Sequence, residues 1–205
     1  MIPASAFEPL LQELRNRPLE MNKYRDVCGE GRSQAFGIVN RRCLPPDYSR
    51  QCWKRPYLYK LLLDFAKEYV TVPFNAITVN QNFKCQPHRD KNNQGNSFLI
   101  AFGDYTGGEL EIHEGERKGL HNINRTPIID DFSKLLHSVK EFEGERYSLV
   151  FYTFAHKKWK ADVPESEVKE VDGKWLFYRG GVVCAGLPHP RGKNWGKNPP
   201  IKELP

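Results

Sequence analysis

Leu135-Leu136-His137-Ser138-Val139-Lys140-Glu141-Phe142-Glu143-Gly144-Glu145-Arg146-Tyr147-Ser148-Leu149-Val150-Phe151-Tyr152-Thr153-Phe154 holds two strand-like apolar runs, 135–139 and 146–154. Glu143-Gly144 between them reads as a turn. His137 lies in the first run. Arg146, nine residues later, opens the second, and Ser148 two further on shares its face, because side chains alternate along extended chain. A planar guanidinium grips a carboxylate with two hydrogen bonds. An inward-facing Arg-x-Ser is expensive in a β-barrel unless an anion pairs with it.

Outward from this stretch, short apolar runs recur at Phe74–Phe83, Ser97–Gly103, Glu109–His113 and Thr126–Ile129, with a turn at Gly107-Gly108. That spacing predicts a β-sandwich or small barrel. Ahead of it lie two helical patterns. Ser5 and Glu8 fit a capping box before Phe7, Leu10, Leu11 and Leu14, and Pro18 ends that helix. Pro56 opens the second, striped by Leu58, Leu61, Leu62 and Phe65. Between them Ala35–Val39 suggests a short strand, and after the core Trp175–Tyr178 suggests an edge strand. The expectation is one mainly β (α+β) domain over 1–205. It comprises helical support over 1–71, the β core over 72–158 and a C-terminal extension over 159–205, with a loop or extended tail from Pro188.

His88-Arg89-Asp90 follows the first core run. At this spacing a His and an Asp on extended chain can share one metal ion, and His137, 47 residues after Asp90, offers a third ligand. Two His and one carboxylate on one face of an octahedral ion suit Fe(II) oxygenase chemistry. Asn80 and Asn82 alternate on the approach to His88. They either donate to a bound carboxylate or satisfy backbone groups at a strand edge. His113, His121, His156 and His189 lack a carboxylate at matching spacing and read as ordinary histidines. Tyr105 lines a pocket mouth or packs a turn. Trp159 among lysines stacks a nucleobase or caps a barrel end.

HxD, a distal His, Arg nine residues on and Ser two further together resemble the 2-oxoglutarate/Fe(II) dioxygenase superfamily, over roughly residues 72–156, close to half the chain. The resemblance implies a double-stranded β-helix (jelly-roll) core. It implies iron ligands His88, Asp90 and His137, and Arg146 with Ser148 on the distal carboxylate of 2-oxoglutarate. Dioxygen, iron and 2-oxoglutarate would then hydroxylate a substrate C–H bond with release of succinate and CO2. The string Tyr105-Thr106-Gly107-Gly108-Glu109-Leu110 is similar to a turn in prolyl-hydroxylase-like members and in the TET/JBP-like nucleobase oxygenases. The Asn-rich Lys91–Gly95 after His-Arg-Asp resembles the latter group. A nucleic acid base is thus one implied substrate, a protein or peptide another, and a non-catalytic jelly-roll binding protein is the third reading.

Composition fits these readings. A net charge of +6 and a pI near 9.0 favour polyanionic partners, although Lys and Arg cluster only briefly, at Lys157–Lys160 and Arg191–Lys197. Five cysteines without CxxC spacing point to a reducing compartment. With no signal-peptide pattern and no membrane-length apolar run, the expected location is intracellular, cytoplasmic or nuclear.

Overall fold

The computed structural model describes residues 1–21, 31–41, 44–154 and 163–184. A 3-10 turn at Ala4–Phe7 leads into α1 (Glu8–Asn16), then β1 (Arg32–Arg41), β2 (Leu44–Tyr48), α2 (Gln51–Lys54) and α3 (Pro56–Tyr69). Next come β3 (Ala76–Gln81), β4 (Ser97–Gly107), β5 (Leu110–Ile112), β6 (Gly119–His121), β7 (Ile128–Asp130), β8 (His137–Val139) and β9 (Phe142–Tyr152). The last strands are β10 (Ser166–Val171), β11 (Lys174–Arg179) and β12 (Val182–Val183). Six strands pair antiparallel in the order β2-β1-β3-β9-β4-β7, and a smaller antiparallel sheet runs β6-β5-β8. These two sheets form the jelly-roll core, and helices flank it.

The major sheet separates scaffold from site by strand alternation. Along β9, Tyr147, Leu149 and Phe151 are fully buried on one face and pack with the helices. Phe7 at the end of the 3-10 turn stacks on Phe102 of β4 at 4.8 Å and meets Phe65 of α3 at 5.2 Å; Phe65 in turn stacks on Phe151 at 6.1 Å. Arg146, Ser148, Val150 and Tyr152 occupy the opposite face of β9 and line a cavity. A second core of Leu99, Ala101, Leu110, Ile112, Ile123, Ile128 and Phe132 lies on that side.

Several local expectations change. Ser5 forms no capping box: it lies inside the 3-10 turn, where the Glu8 N–H donates to the Ser5 backbone carbonyl, and α1 has no side-chain cap. Glu143-Gly144 is no turn; both residues pair within β9, opposite Thr106 and Tyr105. Gly144 is needed there because it has φ +100° and any Cβ would lie 2.3 Å from the Asp104 carbonyl oxygen. Trp175–Tyr178 falls in β11, the central strand of a third sheet, β10-β11-β12, and is not an edge. Phe177 of β11 packs on Tyr48, Trp53 and Tyr59, so this sheet covers the helical layer. Within 1–71, β1 joins the major sheet beside β3 over the full span Arg32–Gly37. Cys28, Cys43, His156, Trp159, His189, the two lysine/arginine clusters and the tail from Pro188 lie outside the described residues. No described helix is long and apolar enough to cross a membrane.

Candidate metal centre and anion pocket

β3 ends at Gln81, so His88-Arg89-Asp90 sits in the connection to β4. His88 is nevertheless extended there, in a bridge that continues the small sheet beyond β8. The His88 N–H donates to the His137 carbonyl at 2.9 Å, and the His137 N–H donates back at 3.0 Å. This pairing places the two imidazoles side by side, with ring centroids 4.4 Å apart. Asp90 is fixed by its own N–H on the Phe132 carbonyl, at 2.9 Å, and by the Asn93 amide, which donates to Oδ2 at 3.3 Å. One ligand atom from each of His88, Asp90 and His137 then lies within 4.8 Å of the others, and this is the metal-competent cluster among the described residues.

Both histidines have their ring orientation fixed from behind. Each Nδ1 lies against a backbone carbonyl: His88 on Gln86 at 2.8 Å and His137 on Leu135 at 2.9 Å. A carbonyl only accepts, so Nδ1 carries the proton and Nε2 keeps its lone pair, the usual outer support of a metal-bound imidazole. His88 Nε2 faces Asp90 Oδ1 at 3.6 Å. Burial pushes the His137 imidazole below its ordinary pKa, against the upward pull of the Leu135 carbonyl and Asp90, so its neutral form is favoured. The ring of Phe132 stands edge-on to His137 at 4.9 Å and closes that side.

Across the cavity, Arg146 is only 2% exposed, yet its Nε and Nη2 have no hydrogen-bond partner. The guanidinium lies over the rings of Tyr105 and Phe142, at 5.4 and 5.5 Å. Burial lowers its pKa, but a guanidinium stays charged in a protein. A buried cation with unpaired donors is costly unless an anion completes it. The Gly107-Gly108 turn makes room for it: a Cβ on Gly108, at φ +70°, would lie 2.9 Å from Arg146 Nε and 3.1 Å from the Phe142 Cβ. Register brings the neighbours in. Ser148 stands opposite Asn80 of β3 and Ala101 of β4, and the Asn80 amide donates to the Ser148 hydroxyl at 3.2 Å. Asn80 Oδ1 is buried and unpartnered.

His88, Asp90, His137, Arg146, Ser148 and Asn80 thus line one cavity of about 410 Å³. Asn82 does not join them. Its Oδ1 accepts the Arg146 backbone N–H at 2.8 Å, and its side chain lines a separate recess with Gln81 and Lys84. Of its two sequence readings, the structure shows the backbone one. Tyr105 packs beneath the guanidinium. His113 is hydrogen-bonded to Ser138 at 2.9 Å and His121 to the Arg117 carbonyl at 2.7 Å. Sequence reasoning missed Phe132, which closes against His137, Asn93, which holds Asp90, and Phe142, which lies against the Arg146 guanidinium; only the Asn-rich loop gave a signal, for Asn93.

No protein-family model and no curated protein matches the chain. Solved structures do. NgTET1 in complex with 5mC DNA is 14% identical with a TM-score of 0.51, covering 75% of this chain and 69% of that one. A Pseudomonas putida prolyl-4-hydroxylase is 15% identical (TM-score 0.46; 74% and 86% covered). A 2OG-Fe(II) oxygenase family protein from Burkholderia pseudomallei is 17% identical (TM-score 0.45; 70% and 75% covered). With its six-stranded and three-stranded antiparallel sheets, the chain shares the jelly-roll fold of NgTET1, and it carries a His-Asp-His cluster that could hold a metal ion.

Proposed function

We propose that the protein is an Fe(II)- and 2-oxoglutarate-dependent dioxygenase that hydroxylates a C–H bond, releasing succinate and CO2. The observation that carries the reading is the buried Arg146 guanidinium, whose Nε and Nη2 have no partner, in the same cavity as two Nε2-presenting histidines and Asp90. His88, Asp90 and His137 would hold the iron, and the Arg146 fork with the Ser148 hydroxyl would take the distal carboxylate of 2-oxoglutarate. When bound, iron, cosubstrate and dioxygen supply the oxidising chemistry. The chain's part is placement: Gln86 and Leu135 fix the imidazoles, Asn93 orients Asp90, and Leu99, Leu110, Ile123 and Phe132 keep the cavity wall dry.

For the substrate we favour a nucleic acid base. Thr78, Tyr152, Asn40 and Asn92 also line the cavity, interleaved with Ala35, Val39 and Phe154. Neutral donors and acceptors among apolar walls suit a flat, uncharged heterocycle, while exposed Lys91 at the cavity edge and the net charge of +6 favour a phosphate backbone outside. NgTET1, which shares the fold, is solved with 5mC DNA.

Under anaerobic conditions, Fe(II) and 2-oxoglutarate added to the protein should give a visible metal-to-cosubstrate charge-transfer band, lost or weakened in Asp90→Ala and Arg146→Ala. A folded wild-type protein with no band would overturn the dioxygenase reading in favour of a binding protein. With the band established, methylated DNA and RNA should yield hydroxymethyl product; if only peptides are hydroxylated, the base reading falls.

A further inference from the structure

Arg89 sits between two proposed metal ligands, yet its side chain turns away from them. Its Nη2 donates to both carboxylate oxygens of Glu114, at 2.6 and 2.7 Å, and its Nε donates to Glu114 Oε1 at 3.1 Å and to the Lys134 carbonyl at 2.8 Å. The same Glu114 Oε1 accepts the backbone N–H of Leu136 at 2.6 Å. Leu136 precedes His137, and its carbonyl accepts the His113 N–H at 2.9 Å. These hydrogen bonds hold the Glu114 carboxyl below the usual carboxylate range, first through Leu136 and then through Arg89.

His88 and Asp90 come from one segment and His137 from another 47 residues later. Backbone bonds join the segments at His88 and at Asp90. Between those two points the Arg89 side chain adds a link of its own, bonding the Lys134 carbonyl directly and, through Glu114, the Leu136 N–H beside His137. We infer that Arg89 and Glu114 are positioning residues of the metal centre, a clamp that sets the separation of the His88/Asp90 arm from the His137 arm. The inference rests on the metal-site reading above. Both side chains are about 40% exposed, so an isolated pair there would contribute little to stability. The fork geometry and the shared backbone N–H give the pair a different role, fixing a distance.

The clamp predicts a separation of metal affinity from stability. Glu114→Ala and Arg89→Ala should each weaken Co(II) binding, read from the cobalt visible spectrum, by about 10- to 100-fold, as outer supports of metal ligands do. The double variant should be no weaker than the worse single one, because one device has been removed once. Urea midpoints of the metal-free proteins should barely move. Arg89→Lys, which keeps the charge and loses the fork, should bind like Arg89→Ala. In the metal-free protein, hydrogen exchange at the Leu136 and Asp90 amides should quicken in Glu114→Ala. Wild-type affinity retained in the variants, or additive losses that track stability, would overturn the clamp. Should the wild type take no metal, the dioxygenase reading fails by itself; the exchange rates still decide the clamp, and unchanged rates overturn it.

Discussion

Replacing Arg146 by methionine should make the empty protein more stable while destroying its cosubstrate site. The side chain is 2% exposed and two of its nitrogens are unpaired. Each buried, unsatisfied donor costs about 1–3 kcal/mol, so the pair costs roughly 2–6. Methionine gives up the contacts with Tyr105 and Phe142, about 0.5–2 kcal/mol each. That donor cost is the desolvation of the charge itself, the reason why apolar replacement of buried ionic groups is commonly favourable by about 1–4 kcal/mol net. A gain near 2 kcal/mol should raise Tm by about 4–8 °C in a domain of this size. Calorimetry in chelator would read it, with Arg146→Lys as the control that keeps a charge and should gain nothing. With Mn(II) and 2-oxoglutarate at 100 times its Kd, the wild type should recover about 2.7 kcal/mol and the methionine variant nothing. If Arg146→Met destabilises the empty protein by more than about 1 kcal/mol, the guanidinium is satisfied by the fold and the anion argument is wrong.

Two further substitutions probe the surroundings. Gly108→Ala would push a Cβ to 2.9 Å from Arg146 Nε at φ +70°; it should weaken 2-oxoglutarate about tenfold, or ~1.4 kcal/mol, in a titration of the visible band, and unchanged affinity would show that the guanidinium tolerates displacement. Glu13→Ala would leave Arg55, 5% exposed and bonded to Glu13 at 3.1 Å, as a buried cation; a loss of about 3–5 kcal/mol in urea unfolding is expected, and a loss under about 1 would mean that Gln34 and the Arg17 carbonyl hold Arg55 by themselves.

The chemistry was more legible than the scaffold. His88, Asp90, His137, Arg146 and Ser148 were readable because each has few reasons to recur at fixed offsets in strand-like sequence, and the structure brings all five to one cavity. Pro56 opened α3 as its ring dictates. Gly144 is ambiguous in sequence: glycine marks close backbone approach as well as reversal, and only the facing strand, at Asp104, tells the two apart. The same ambiguity hid the role of Gly108. Asn80 and Asn82 looked alike, two residues apart, until Asn82 left the strand with φ +49° and spent its oxygen on the Arg146 backbone. The clamp was invisible because Glu114 follows β5 and meets Arg89 only through the fold.

β9 has an evolutionary consequence. Tyr147, Leu149 and Phe151 answer to the helices, while Ser148, Val150 and Tyr152 answer to whatever occupies the cavity. Two selective pressures therefore read the same strand in alternate letters, without interfering. Lineages can exchange cavity-facing residues and explore new molecules while the helix-facing set stays still. A single inserted residue would set both readings against each other at once, so such a strand should diverge by substitution and almost never by change of length.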